Sequence, residues 1–528
     1  MKRRKICNRI WLFLAGLLIF WMPSCDYSYF EIDELPDYHY SPVFAIPLVN
    51  SSLTISDFVP DDNQDLIEVG DDQLISLVYS DHLVSASGAQ FYHLPDAQYP
   101  ANFYASPPGK NPLQTITRTF SLETGHDDEL DSIGFRQGIL SIQASAPGLS
   151  ADGYQATITI TIPGSYNQAG QPFSMEVNAN GTAQKSLVGY TIPFYSAGTQ
   201  HNQFDVHYHV MFSGQGNPAN APYTFNISQQ MTTLQLEKMF GLLATRILNL
   251  GGMGIDIGIF SSDSEGEIVF EDPKLRLMAS NSFGFPIGVT ANDLYLENED
   301  QSIEISGFPE IWTIQAPGMN QQGQQLFTSL LLNRANSNIY DGVEIYPETL
   351  YSSFLSELNP GRDRGFVLED SRLDVNVELE LPLYGVASGF SLQDTIEFSR
   401  NDSITEIEWI ELVVDVVNGL PIDLFLQLSF ADADLNVDMV LFEGVEDFNL
   451  VASAQVDGNG NVISPERKNT RIFLNEQQTV AFLNSPNLIL SARMLTANNG
   501  QTPVKVYDHQ ALDVRIGARI KGKVVIEF

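Results

Sequence analysis

The chain has 528 residues, with 65 acidic against 27 basic side chains and a formal net charge of −38 at neutral pH. A surface this negative repels the phosphate backbone, which excludes nucleic acid as a partner, and it disfavours direct contact with anionic lipid. The length suggests roughly three to four domains, and the charge reads as a solvated surface because it is not gathered into runs.

The first elements are at the N-terminus. Lys2, Arg3, Arg4, Lys5 and Arg9 precede an apolar run from Ile10 to Trp21, followed by Met22, Pro23, Ser24 and Cys25. The run is 12 residues long, whereas a transmembrane helix needs about 20. A signal peptide over 1–24 is therefore expected. The stretch resembles a lipoprotein signal with its lipobox, although Met22 and Pro23 depart from the commonest residues there. The resemblance implies cleavage before Cys25, lipid on that cysteine, and a membrane as partner through the anchor. Cleavage removes five of the basic residues and none of the acidic ones, leaving a charge near −43. Cys7, inside the signal, is the only other cysteine, so no disulfide is expected and stability must come from core burial.

Residues 25–60 read as a lipidated tether and extended segment, with Pro42 and Pro47 favouring an edge strand. An N-terminal β-sandwich region is expected over 61–261, on the period-two alternation of Thr157 to Ile162 and Phe204 to Val210. Two repeated β-modules follow, at 262–401 and 402–528. At an offset of 139 residues, Pro347 falls on Pro486, Asn359 on Asn498, Gly361 on Gly500, and Leu373-Asp374-Val375 on Leu512-Asp513-Val514. Asn281 to Ile287 aligns with Asn418 to Ile422 when two residues are dropped. Within each module a short helical or irregular stretch is expected, at Gln324 to Leu332 and at Asn475 to Leu483, with Asn475 as N-cap. The expected fold class is all-β with minor α: tandem β-sandwich-like modules with an internal duplication in the C-terminal half.

The run Asp272 to Leu277 followed by Asn281 to Val289 resembles the strand pair of late-embryogenesis-abundant type 2 and water-stress-hypersensitivity domains, which implies a small β-sandwich and no reaction. The chain as a whole resembles uncharacterised cell-envelope lipoproteins of Bacteroidota. That likeness implies an outer-membrane location, with surface exposure favoured over the periplasm.

Chemical motifs are sparse. There is no Gly-x-Ser-x-Gly elbow and no His-Glu-x-x-His zinc motif. Gly517 to Lys523 matches the start of a phosphate loop, but Val524 stands where Ser or Thr is required, so the segment reads as a terminal strand. His207 and His209 share one strand face and could reach a metal, yet no third ligand lies nearby. Asp432, Asp434, Asn436 and Asp438 alternate as weak calcium candidates, and Asp457, Asn459 and Asn461 sit in a Gly-rich turn. Both lack the Gly and distal Glu of an EF-hand and read as solvated hairpins. No cofactor is implied. Asp-Ser/Thr-apolar triplets mark Ser132, Thr395 and Ser403 for O-glycosylation. Two function classes follow. The first is a non-enzymatic, lipid-anchored envelope protein that binds a protein or glycan or joins an assembly. The alternative is a carbohydrate-binding or carbohydrate-degrading surface lipoprotein, with Tyr340, Tyr346, Tyr351 and Trp409 available for stacking.

Overall fold

Alternating Thr and Ile can satisfy both sides of a half-buried sheet, and the chain uses that solution repeatedly. The computed structural model describes residues 38–58, 65–107, 113–257, 267–397, 406–441 and 449–526, which are almost entirely β-strand. In the strand Gln155–Asn167, Ala156, Ile158, Ile160 and Ile162 are buried while Thr157, Thr159 and Thr161 are only half-buried. Gln200–Ser213 pairs with this strand on one side and with Leu113–Ser121 on the other. Glu129–Ser145 pairs with the 20-residue strand Tyr223–Leu242. Between them lies an aromatic interior in which Phe103 stacks on Phe225 at 5.4 Å and packs on Tyr208 at 5.3 Å. This region is also poor in charge: from Gln137 to Leu236 only Asp152, Glu176, Lys185 and Asp205 are ionic. The acidity of the chain is therefore concentrated elsewhere.

The duplication is visible strand for strand. In the first module one sheet runs Leu326–Leu332, Lys274–Asn281, Arg372–Pro382, Ile75–Ser87. The second module repeats it as Glu466–Phe473, Glu406–Asn418, Ala511–Ile526, Val43–Thr54. The facing sheet is Arg246–Asp256, Thr349–Leu358, Ile287–Glu297 in the first module. In the second it is Tyr384–Glu397, Asn487–Thr496, Ile422–Ala431. Inward side chains of each sheet pair form a core: Leu275, Leu277, Val289 and Leu350 in the first, Leu412, Val414, Leu424 and Leu488 in the second.

The connectivity is nested. The second module opens with Val43–Thr54, and the chain then leaves it to begin the first module at Ile75–Ser87. It leaves again for the N-terminal sheet, returns at Arg246–Asp256 to complete the first module, and comes back to the second at Tyr384–Glu397. Strand pairings thus cross the linear boundaries read from the sequence.

Asn281 and Asn418 hold equivalent corners in the same way. Asn281 Nδ2 donates to the carbonyls of Phe285 (3.1 Å) and Gln315 (3.0 Å), and its Oδ1 accepts from Phe283 N (2.8 Å). Asn418 Nδ2 donates to Ile422 O (2.7 Å) and Ala452 O (3.1 Å), and its Oδ1 accepts from Leu420 N (2.9 Å). Partner spacing is identical in the two modules, and both side chains are fully buried. Asn359 and Asn498 both adopt positive φ, +55° and +59°, a conformation Asn tolerates better than most residues.

One expectation needs correction. Gln324 to Leu332 contains the strand Leu326–Leu332, and the short helix of the first module lies further on, at Ile339–Glu344. The apolar run hides a period-two pattern in which Phe327, Ser329 and Leu331 face outward. The helix of the second module, Glu476–Asn484, starts where expected: Asn475 Oδ1 accepts from Gln478 N at 2.9 Å, and Gln478 Oε1 accepts from Asn475 N at 3.0 Å.

A buried ion pair joins the N-terminal sheet to the first module. Arg246 Nη2 donates to Asp128 Oδ2 at 2.9 Å and Oδ1 at 3.2 Å, with side-chain exposures of 8% and 1%. Asp128 Oδ1 also accepts from Ala244 N, and the guanidinium lies 4.9 Å from the Tyr92 ring centre. Burial pushes the Tyr92 hydroxyl well above its ordinary pKa.

Candidate functional site

Asparagine-rich turns spend their side chains on their own backbone, and after Leu326–Leu332 such a turn builds a polar recess. Asn336 Oδ1 accepts from Asn333 N at 2.8 Å and its Nδ2 donates to Leu331 O at 2.9 Å. Asn338 precedes the helix Ile339–Glu344 but does not cap it with its side chain. Instead its Oδ1 accepts from Ser306 N (2.7 Å) and Ser306 Oγ (3.0 Å), while Nδ2 donates to Glu304 O (2.9 Å). The cap residue that closes its helix in the second module is thus diverted in the first to stitch a distant loop against the turn. Gly307 makes the approach possible: its φ is +93°, and a Cβ there would collide with the Asn336 carbonyl.

The resulting open pocket has a volume of about 520 Å³ and is lined by Ser306, Arg334, Asn336, Ser337, Asn338, Tyr340 and Asp341. The Arg334 guanidinium stacks 4.1 Å from the Tyr340 ring centre, and its Nη1 donates to Glu271 Oε2 at 2.7 Å. The hydrogen bond to Glu271 raises the Arg334 pKa, and burial raises that of Tyr340. The side chains of Asn336 and Asn338 are spent on the scaffold, which leaves Arg334, Tyr340 and Asp341 as the ionisable and aromatic groups of the lining. Asp341 is the only carboxylate of the lining. Hydrolysis of a glycosidic bond uses two carboxyl groups about 5–10 Å apart, and the nearby Glu271 is engaged by Arg334. The lining offers a guanidinium, a phenol and one carboxylate as hydrogen-bonding groups.

The aromatic candidates do not converge. Tyr340 lines the pocket, Tyr351 stacks on Tyr295 at 4.8 Å, and Trp409 packs against Phe473 at 6.0 Å with Arg519 nearby. Tyr346 has positive φ and a hydroxyl whose pKa burial raises. His207 and His209 lie side by side with ring centres 6.0 Å apart. His209 shares hydrogen bonds with Thr115 (2.9 Å) and Thr161 (3.3 Å), and burial lowers its pKa. Asp432 accepts from the backbone N–H groups of Asp434 and Asn436 and from Asn436 Nδ2, and the Asn436 side chain holds its pKa below the carboxylate range. Asp438 accepts instead from Ser485 Oγ at 2.7 Å. Asp457 repeats the Asp432 turn with Asn459 and Asn461. Among the described residues no group of three or more His, Cys, Asp or Glu side chains is arranged around a common metal position. Ser132 is half-buried on Glu129–Ser145, and Thr395 is exposed on Tyr384–Glu397. Cys25 and Ser403 lie outside the described residues. Sequence reading missed Ser306, Arg334 and Asp341; only the density of Asn at positions 333, 336 and 338 signalled an elaborate turn.

No protein-family model matches the sequence, and no protein with a curated description matches it. Among solved structures, a presumed secreted protein from Parabacteroides distasonis is 8% identical, covering 90% of this chain and 99% of its own, with a TM-score of 0.27. The VP2 subviral particle of infectious bursal disease virus is 7% identical, covering 87% and 84%, with a TM-score of 0.13. Superpositions at this level carry no functional argument.

Proposed function

We propose that this chain is a non-enzymatic component of the outer membrane, held by lipid on Cys25 and exposed at the cell surface, that uses its β-modules to bind an envelope protein or glycan. The observation carrying the reading is the basic, apolar, Cys-terminated start joined to a body whose described pocket has a single lining carboxylate. A lipid tether raises the effective concentration of a binding surface near its target, and loops on rigid sheets are where such surfaces are displayed. Carbohydrate recognition is the second reading, favoured by the Arg334–Tyr340–Asp341 grouping. The test is protease treatment of intact cells together with an affinity capture from solubilised envelope, using wild type and a Tyr340→Ala/Asp341→Ala double variant. Cleavage in intact cells and a captured protein or glycan lost in the variant supports the reading. Protection of the body until the outer membrane is breached moves the proposal to the periplasm, and capture unchanged in the variant removes the pocket from it.

O-glycosylation at Ser132, Thr395 and Ser403 is proposed on the triplets alone. Intact mass of native protein equal to that of the unmodified lipidated chain would end that proposal.

A further inference from the structure

The duplication supplies an internal control for an exposed sheet edge. In the first module Leu326–Leu332 is an edge strand whose only strand partner among the described residues is Lys274–Asn281. Its counterpart in the second module is Glu466–Phe473, paired in the same way to Glu406–Asn418. Registering both on the equivalent Asn281 and Asn418 places Phe327, opposite Ser280, where the second module has Arg467, opposite Val417. It likewise places Leu331, opposite Arg276, where the second module has Arg471, opposite Val413. Phe327 is 80% exposed and Leu331 37% exposed. The edge of the second module is therefore guarded by charge, the usual defence against strand addition. Residues 311–333 carry no charged side chain at all, so the equivalent edge of the first module has no such guard.

We propose that this edge is the interface with a second copy of the chain, Leu326–Leu332 pairing antiparallel with itself across a two-fold axis at Ser329. Charge selects the occupant. Two chains with a net charge near −43 after removal of 1–24 repel one another when acidic faces meet, and this edge lets them approach through a neutral one. It also offers no acidic side chain to select a basic peptide. The pattern is self-complementary, because a two-fold at Ser329 sets Phe327 of each copy opposite Leu331 of the other on the same outward face. Such an isologous contact closes the pair, because both copies use the same edge for it. Asn336 Nδ2 already donates to Leu331 O, but a carbonyl oxygen has a second lone pair for the partner strand.

Cysteine scanning tests the geometry directly. Ser329 meets its own copy at the axis, at the roughly 5.5 Å Cα separation of a hydrogen-bonded antiparallel pair, which a disulfide spans. Asn469 is the corresponding position in the second module, and Cys7 and Cys25 are the only native cysteines. In cells carrying the full chain, Ser329→Cys is expected to give a disulfide-linked dimer and Asn469→Cys is not. Sedimentation of the purified chain is expected to show a dimer weakened about tenfold or more by Ser329→Lys, which sets two like charges face to face, and unchanged by Asn469→Lys. A monomer at every concentration, or cross-linking of Ser329→Cys no faster than of Asn469→Cys, overturns the proposal. Cross-linking of Ser329→Cys to a different envelope protein also overturns it, in favour of an extended segment of that protein.

Discussion

Replacing Asn281 or Asn418 by alanine removes the same three hydrogen bonds from two equivalent corners. In each module one backbone N–H and two carbonyls lose their partner: Phe283 N with the oxygens of Phe285 and Gln315, and Leu420 N with those of Ile422 and Ala452. A net hydrogen bond contributes about 1 kcal/mol and an orphaned buried group costs about 1–3 kcal/mol. With both side chains fully buried, a loss of about 3–5 kcal/mol is expected at either site. The chain supplies its own reporters, since beyond the N-terminal segment its tryptophans are Trp312 in the first module and Trp409 in the second. Urea unfolding followed by fluorescence in a Trp409→Phe background reads the first module, and in a Trp312→Phe background the second. Asn281→Ala should lower the Trp312 midpoint more than the Trp409 midpoint, and Asn418→Ala should do the reverse. A loss below about 1 kcal/mol, or equal shifts at both reporters for each variant, would refute the assignment of these residues as matched, module-specific anchors.

Four further outcomes follow from local physics. Arg246→Met strands the buried carboxylate of Asp128 and should cost about 3–5 kcal/mol, whereas Asp128→Leu/Arg246→Met, which removes both charges, should recover most of that; additive losses in chemical denaturation would contradict the pairing. Asn475→Ala should destabilise the second module by about 1 kcal/mol through loss of the helix cap. Asn338→Ala should leave helix capping unaffected and instead release Ser306, seen as faster amide exchange at Ser306 than in wild type. The hydroxyl of Tyr223, with Asn220, holds the Asp152 carboxyl below its ordinary pKa, and Tyr223 is itself raised to about 12. A depressed carboxylate contributes stability that is present above the unfolded value of about 3.9 and lost as pH falls through the folded one. Asp152→Asn should therefore flatten the fall in urea midpoint on acidification; an unchanged pH profile would remove Asp152 from the acid response.

The strand periods were legible where one face of a strand is less buried than the other: Thr157 to Ile162 shows its alternation plainly. Leu326 to Leu332 concealed the same alternation because its outward residues include Phe327 and Leu331, apolar side chains where a strand normally carries polar ones. The repeat was readable at Asn281, Asn418, Asn359 and Asn498, since a buried capping amide and a positive φ each restrict the residue type. Nesting was not readable. Alternation fixes which face a side chain takes and says nothing of which distant strand lies beside it, so the pairing of Val43–Thr54 with Ala511–Ile526 leaves no local trace. The pocket was half legible for the same reason. Tyr340 was named among the aromatic candidates, whereas the Asn-rich turn at Asn333 to Asn338 went unread and Ser306 arrives from a separate loop through the side chain of Asn338.

The most direct measurement is metabolic labelling with a radioactive fatty acid, comparing the native chain with Cys25→Ser and following both label and membrane fractionation. The proposed function predicts label and outer-membrane recovery for the native chain, and loss of label with release from the membrane for Cys25→Ser. An unlabelled native chain, or one that stays in the membrane equally well without Cys25, would contradict it.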